Sequence, residues 1–201
     1  MYLSKIFITL ALTLIWCSPN ATAAEKGNWQ VRLGVHMVEP KSNNNTIVEV
    51  DGATSMTFDI THRINRNWAV ELLAALPFTH DIALVGGATV GETDQLPPTI
   101  SMQYHFIPNG RVHPYVGAGV NWTMFFKEDL FGPLAGSKLV LDDSIGLAGQ
   151  FGVDFDLQGP WFVNVVARYI QISTDAEIDG ASIGDIELDP WAFSLSMGRR
   201  F

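Results

Sequence analysis

Past Glu25 the apolar residues recur at every second position. Trp29, Val31, Leu33, Val35 and Met37 alternate with Gln30, Arg32, Gly34 and His36. This is the period of a β-strand, which sends successive side chains to opposite faces. Met56, Phe58 and Ile60 oppose Thr57, Asp59 and Thr61 in the same way, and the run from Trp68 to Phe78 sets Val70, Leu72, Ala74 and Leu76 against Ala69, Glu71 and Ala75. Ile100, Met102, Tyr104 and Phe106 oppose Ser101, Gln103 and His105. Four further stretches follow the rule, beginning near Val116, Ile145, Trp161 and Trp191. The pattern predicts about eight strands, an even number, each long enough to cross a bilayer at a tilt of about 45°.

The connections alternate in length. Short turns are expected at residues 64–67, 107–111 and 157–160, and long loops over 39–53, 79–98, 127–143 and 173–188. Short turns at one end and long loops at the other are the pattern of an outer-membrane barrel. A soluble barrel shares the period but turns its apolar face inward. Here the apolar faces carry bulky residues, while the opposite faces are rich in Gly, Ser, Ala and Thr, sized for a narrow lumen. Trp29, Trp68, Trp161 and Trp191 stand at strand starts, where an interfacial girdle belongs, and the chain ends on the aromatic Phe201. The fold expected is therefore all-β: an eight-stranded antiparallel transmembrane β-barrel with short periplasmic turns and long extracellular loops.

Composition sharpens this picture. The chain has 201 residues, is 47% apolar and 16% charged, and carries a formal net charge of -9. A pI near 4.8 argues against nucleic acid, whose binding rests on cations neutralising phosphates. Residues 1–23 read as a signal peptide: Lys5, an apolar run from Ile6 to Trp16, then Ala21-Thr22-Ala23. The barrel domain is then 24–201. Cleavage would remove Cys17, the only cysteine, leaving an exported domain without disulfides. The five histidines His36, His62, His80, His105 and His113 are scattered and lack a Ser and carboxylate partner in strand geometry, so no enzyme is expected. No cofactor is expected, and no spacing suggests a metal site.

Three stretches carry a family resemblance: Leu96-Pro97-Pro98-Thr99-Ile100-Ser101-Met102-Gln103-Tyr104-His105-Phe106, Pro114-Tyr115-Val116-Gly117-Ala118-Gly119-Val120-Asn121, and the ending from Asp189-Pro190-Trp191 to Gly198-Arg199-Arg200-Phe201. In these the chain resembles the outer-membrane protein W family of Gram-negative bacteria, with Arg199 standing where an aromatic residue would be expected. The resemblance implies a barrel of the outer membrane that admits small hydrophobic molecules such as alkanes. It also leaves open a structural or receptor barrel, for colicin or phage, without transport.

Within such a barrel the inward charges Arg32, Asp59, Glu71, Asp154 and Arg200 fall near the periplasmic ends of their strands, with Arg168 somewhat higher. They are expected to pair as a plug in the lower lumen. An apolar upper lumen and mouth are expected from Pro77, Ile82, Leu84, Val85, Leu130, Phe131, Leu134, Ile170 and Ile172, although the loop residues among them could equally pack loop on loop or touch lipopolysaccharide. Pro77 and the pair Pro97-Pro98 lie at the tops of neighbouring strands and cannot donate to the ladder. They either end those strands or open a lateral gap from lumen to membrane. Partners expected on this reading are outer-membrane lipid and lipopolysaccharide, small hydrophobic ligands, and the barrel assembly machinery through Phe201.

Overall fold

The computed structural model describes residues 28–41 and 44–201; the signal peptide read over 1–23 lies outside the described residues. The strands are β1 (Trp29–Glu39), β2 (Val48–Val50), β3 (Ala53–Arg63), β4 (Trp68–Ala75), β5 (Phe78–Leu84), β6 (Thr89–Leu96) and β7 (Thr99–His105). They continue as β8 (Val112–Leu130), β9 (Leu139–Leu141), β10 (Ser144–Asp156), β11 (Trp161–Ile170), β12 (Ser173–Ile178), β13 (Ala181–Glu187) and β14 (Trp191–Arg200). Strands β1, β3, β4, β7, β8, β10, β11 and β14 pair in that order, all antiparallel, and β14 returns to β1 to close the barrel. Closure leaves this wall without a free edge, so its backbone groups are paired around the ring except at one seam between β4 and β7.

Register fixes which side chains share a face. Arg32 stands between Asp59 of β3 and Gly198 of β14, and Gly34 between Thr57 and Ser196. These rows point inward. The alternate rows expose Ile145, Leu147 and Leu195 at 76%, 65% and 61%. A continuous belt of exposed large apolar side chains around a polar interior is the inverse of a soluble protein, and only lipid removes its hydration cost. Trp29, Trp68 and Trp161 mark the lower margin of the belt, while Trp122 and Trp191 mark the upper margin.

Two inward aromatics are accommodated by glycines on the neighbouring strand. A Cβ at Gly152 would overlap the Tyr115 ring, and one at Gly198 would overlap the Phe162 ring. Each ring therefore lies flat along the wall and fills lumen that eight strands leave narrow.

The long extracellular connections carry strands of their own: 79–98 and 173–188 are mostly strand, and the other two hold the short β2 and β9. Strand β8 runs on for 19 residues. Above the barrel its edge carries the hairpin β5–β6, and β2 adds to β5. Strands β9, β12 and β13 form a separate three-stranded sheet. Bulges at Ile82/Ala83, Glu92/Asp94 and Ala176/Glu177 shift the alternation by a residue, which hides these strands from a period-two pattern.

Candidate functional site

Glu71 is the centre of the lower lumen. Its Oε2 accepts from Arg32 Nη1 at 2.6 Å and Gln103 Nε2 at 2.7 Å; its Oε1 accepts from Arg168 Nη2 at 2.8 Å and Gln150 Nε2 at 3.1 Å. Arg32 Nη1 also donates to Asp59 Oδ1 at 2.9 Å, and its Nε lies 3.9 Å from Asp154. The guanidinium sits 5.7 Å from the centres of both the Tyr115 and Phe162 rings. Asn164 Nδ2 donates to Asp154 Oδ1 at 2.8 Å and to the Tyr115 hydroxyl at 3.0 Å. Arg200 lies lowest: it donates to Asp156 and comes within 3.8 Å of Asp154.

The structure thus brings Arg32, Asp59, Glu71, Asp154, Arg168 and Arg200 into one contiguous network. Glu71 and Arg32 are each 1% exposed. A charge so buried is stable only when opposed and hydrogen-bonded, and the opposite walls of the barrel supply the partners. Gln30, Gln150 and Tyr115 belong to this floor although the inward charges alone did not single them out. Their parity along the strand with Arg32, Asp154 and His113 was the available signal.

Above the floor the chemistry changes. Ala148 and Ile170 of the wall join Val48, Ile82, Phe125, Leu139, Leu141, Ile172, Ala176, Ile186 and Leu188 in one buried apolar cluster. A smaller cluster joins Val38, Ala53, Phe78 and Ala192. Of the residues expected to line an apolar mouth, Ile82, Ile170 and Ile172 are buried in the main cluster, and Leu84 and Leu130 pack against it.

Four of the expected residues lie elsewhere. Val85 is 50% exposed at the tip of the β5–β6 hairpin, where Gly86 adopts φ +65. Phe131 is 41% exposed beyond the end of β8, and Leu134 lies in the short 3-10 turn (Gly132–Leu134) outside the cluster. Pro77 is exposed, and Phe78, expected on the lipid face, is 1% exposed inside. The cause of that reversal is the bend at Leu76-Pro77, which shifts the inside–outside phase by one residue.

The same bend interrupts the ladder. Strands β4 and β7 pair up to Leu73 opposite Thr99. Pairing of the continuing chains resumes as β5–β6 at Phe78 opposite Gln95. Residues 74–77 and 96–98 are unpaired with one another, yet each keeps its other neighbour. Leu76 N–H donates to Met56 O at 2.9 Å, and Trp122 N–H donates to Pro98 O at 3.0 Å. The break is therefore confined to one seam of the wall, at the height where charged floor meets apolar roof.

Charge differs between the two ends. The long connections hold Glu49, Asp51, Asp81, Glu92, Glu128, Asp129, Asp142, Asp143, Asp175 and Glu177, whereas Arg63, Arg66 and Arg111 stand at the short turns. In the extracellular hairpin Asp94 is held below the usual carboxylate range: its desolvation opposes this, but Lys127 and Thr79 both donate to it. Among the described residues no three His, Cys, Asp or Glu side chains group as a metal site.

The sequence profile of the OmpW family matches residues 25–201. The chain belongs to the OmpW family. It is 36% identical to Outer membrane protein W of Vibrio cholerae over 210 residues, covering 96% of this chain and 97% of the relative. The crystal structure of the outer membrane protein OprG from Pseudomonas aeruginosa superposes with a TM-score of 0.78 at 30% identity, covering 89% of this chain and 98% of that one. A more distant relative, the dibenzothiophene metabolism operon protein PahQ of Pseudomonas aeruginosa, is 28% identical over 93% of this chain and 95% of its own length. Like other OmpW family members, the chain is a β-barrel of the Gram-negative outer membrane, embedded in its lipid.

Proposed function

We propose that the barrel admits small hydrophobic molecules from outside the cell and releases them sideways into the outer membrane. The observation that carries this reading is the interrupted seam between β4 and β7, level with the change from apolar roof to charged floor. A molecule without hydrogen-bonding groups exchanges freely with the apolar cluster but cannot replace the partners of Glu71 and Arg32. The floor therefore turns it back from the periplasm. The seam, with Pro77, Pro97 and Pro98 at its margins, offers a way out that breaks no ladder hydrogen bond. The relative named for dibenzothiophene metabolism supports an apolar aromatic cargo. No chemistry is performed on the cargo. Lipopolysaccharide surrounds the extracellular strands, and Phe201 presents the aromatic end that the assembly machinery engages.

The decisive experiment compares uptake of naphthalene by cells carrying the wild-type barrel, no barrel, or a Pro77→Val, Pro97→Val double variant that extends the pairing. Wild type is expected to exceed the empty strain several-fold, with the double variant falling most of the way to it. Uptake that is the same with and without the barrel would instead favour a structural or receptor barrel, for colicin or phage. The packed loop-on-loop roof is the observation in favour of that second reading.

A further inference from the structure

The cations of this chain are unevenly satisfied. At the extracellular rim Lys41 is matched by Glu187 and Asp189 and Lys127 by Asp94, while Lys138 offers only its backbone N–H to Asp179. In the lumen Arg32, Arg168 and Arg200 are all matched by carboxylates. Among the described residues of the periplasmic end, Arg63, Arg66, Arg111 and Arg199 form no ion pair within 4.0 Å.

Two of these four have other engagements. Arg63 donates to the Arg66 carbonyl at 3.1 Å and meets His105 Nδ1 at 3.2 Å. Arg199 lies over the Trp161 and Phe201 rings, 5.6 and 4.8 Å from their centres. Arg66 and Arg111 are exposed and free of such contacts.

Each of these two lies in a shallow, open, outward-facing groove beside a girdle tryptophan. One groove, about 550 Å³, is lined by Arg111, Asp156, Leu157, Gln158, Trp161 and Met197. Asp156 is already taken by Arg200 and His113. The other groove, about 460 Å³, is lined by Asn65, Arg66, Asn67, Trp68 and Tyr104. The same arrangement thus occurs twice on separate parts of the collar. An unpaired guanidinium sits at the water edge, an indole at the strand end, and the outward side chains Met197 and Tyr104 stand beside it on the neighbouring strands.

We propose that these two grooves are binding sites for glycerophospholipids of the periplasmic leaflet, with Arg111 and Arg66 holding the phosphates. A guanidinium presents a planar fork of donors that matches phosphate oxygens, and it does so most strongly where water is thinned by neighbouring acyl chains. The tryptophan stands at the level of the glycerol ester groups, as interfacial indoles do. The acidic extracellular rim has the opposite sign, so the site belongs to the periplasmic leaflet.

Native mass spectrometry of the folded full-length barrel, released from detergent micelles, tests the assignment. Three probes are compared: dioleoylphosphatidylglycerol, dioleoylglycerol without the phosphate, and glycerol 3-phosphate without the acyl chains. The wild-type protein is expected to retain two molecules of phosphatidylglycerol, Arg66→Gln or Arg111→Gln one, and the double variant none. Neither truncated probe should be retained. Both substitutions lie in exposed turns, and an unchanged heat-dependent gel shift verifies the barrel. An equal count of phosphatidylglycerol on wild type and double variant overturns the proposal. Retention of dioleoylglycerol reduces the grooves to apolar surface, and retention of glycerol 3-phosphate reduces them to anion sites, either of which also overturns it.

Discussion

Glu71 illustrates how one residue organises the lumen. Its two oxygens accept from Arg32, Gln103, Arg168 and Gln150, so both lone pairs of each are occupied. Glu71→Ala would leave Arg168 with Gln150 as its only acceptor and Arg32 with Asp59, Gln30 and the distant Asp154. Breaking a buried pair in this way costs about 3–5 kcal/mol, measurable by urea unfolding of the barrel in lipid vesicles. Glu71→Gln keeps an acceptor and should cost less. Gly152→Leu should drive the Tyr115 ring off the wall for about 1–3 kcal/mol of overpacking, visible in the same unfolding curves. That Glu71 faces inward was readable from its parity along β4. Its partners Gln150 and Arg168 lie 79 and 97 residues away across the barrel, and no local pattern reports such a meeting.

At the scale of elements, strands inside the membrane were legible and those above it were not. In β1 or β14 the solvent on one face is lipid and on the other a packed lumen, so every second residue is constrained. In β5, β6, β12 and β13 bulges break the period, and water on one face tolerates almost any polar residue. The reversal at Phe78 arises similarly, because Pro77 ends the phase that the pattern carries forward. The extracellular sheet also contains a repulsive pair: Asp175 of β12 stands directly opposite Asp185 of β13. A proton shared with Asp185, and its charge, push the Asp175 carboxyl above its usual value. The folded sheet therefore holds protons that the unfolded chain has released, so its stability falls as pH rises through and above the usual carboxylate range. Hydrogen exchange of the β12–β13 amides should accelerate over that interval. Asp185→Asn should slow exchange at neutral pH and make no difference in stronger acid. An exchange rate independent of pH, after correction for intrinsic chemistry, would sink the coupling.

The whole molecule is a stack of three environments, and its charge and hydropathy follow them. Acidic residues crowd the extracellular strands, unpaired arginines ring the periplasmic turns, and between them the wall is apolar outward and polar inward. This ordering makes the cost of an outward-facing charge depend on height alone. Leu195, in the middle of β14, lies level with Val35 and Val165 on its two neighbours, all three exposed to lipid. Ile64, equally apolar and 56% exposed, sits in the periplasmic turn after β3. Leu195→Arg places a guanidinium near the bilayer midplane, at a cost of about 2–4 kcal/mol, whereas Ile64→Arg at the interface should cost about 0–1 kcal/mol. Reversible unfolding of both variants in vesicles of one lipid composition compares them directly. Equal costs would mean that the belt does not lie in lipid at the height assigned here. A gradient of the expected size locates the midplane at Leu195 and the periplasmic interface at the arginine-bearing turns, where the two phospholipid grooves open.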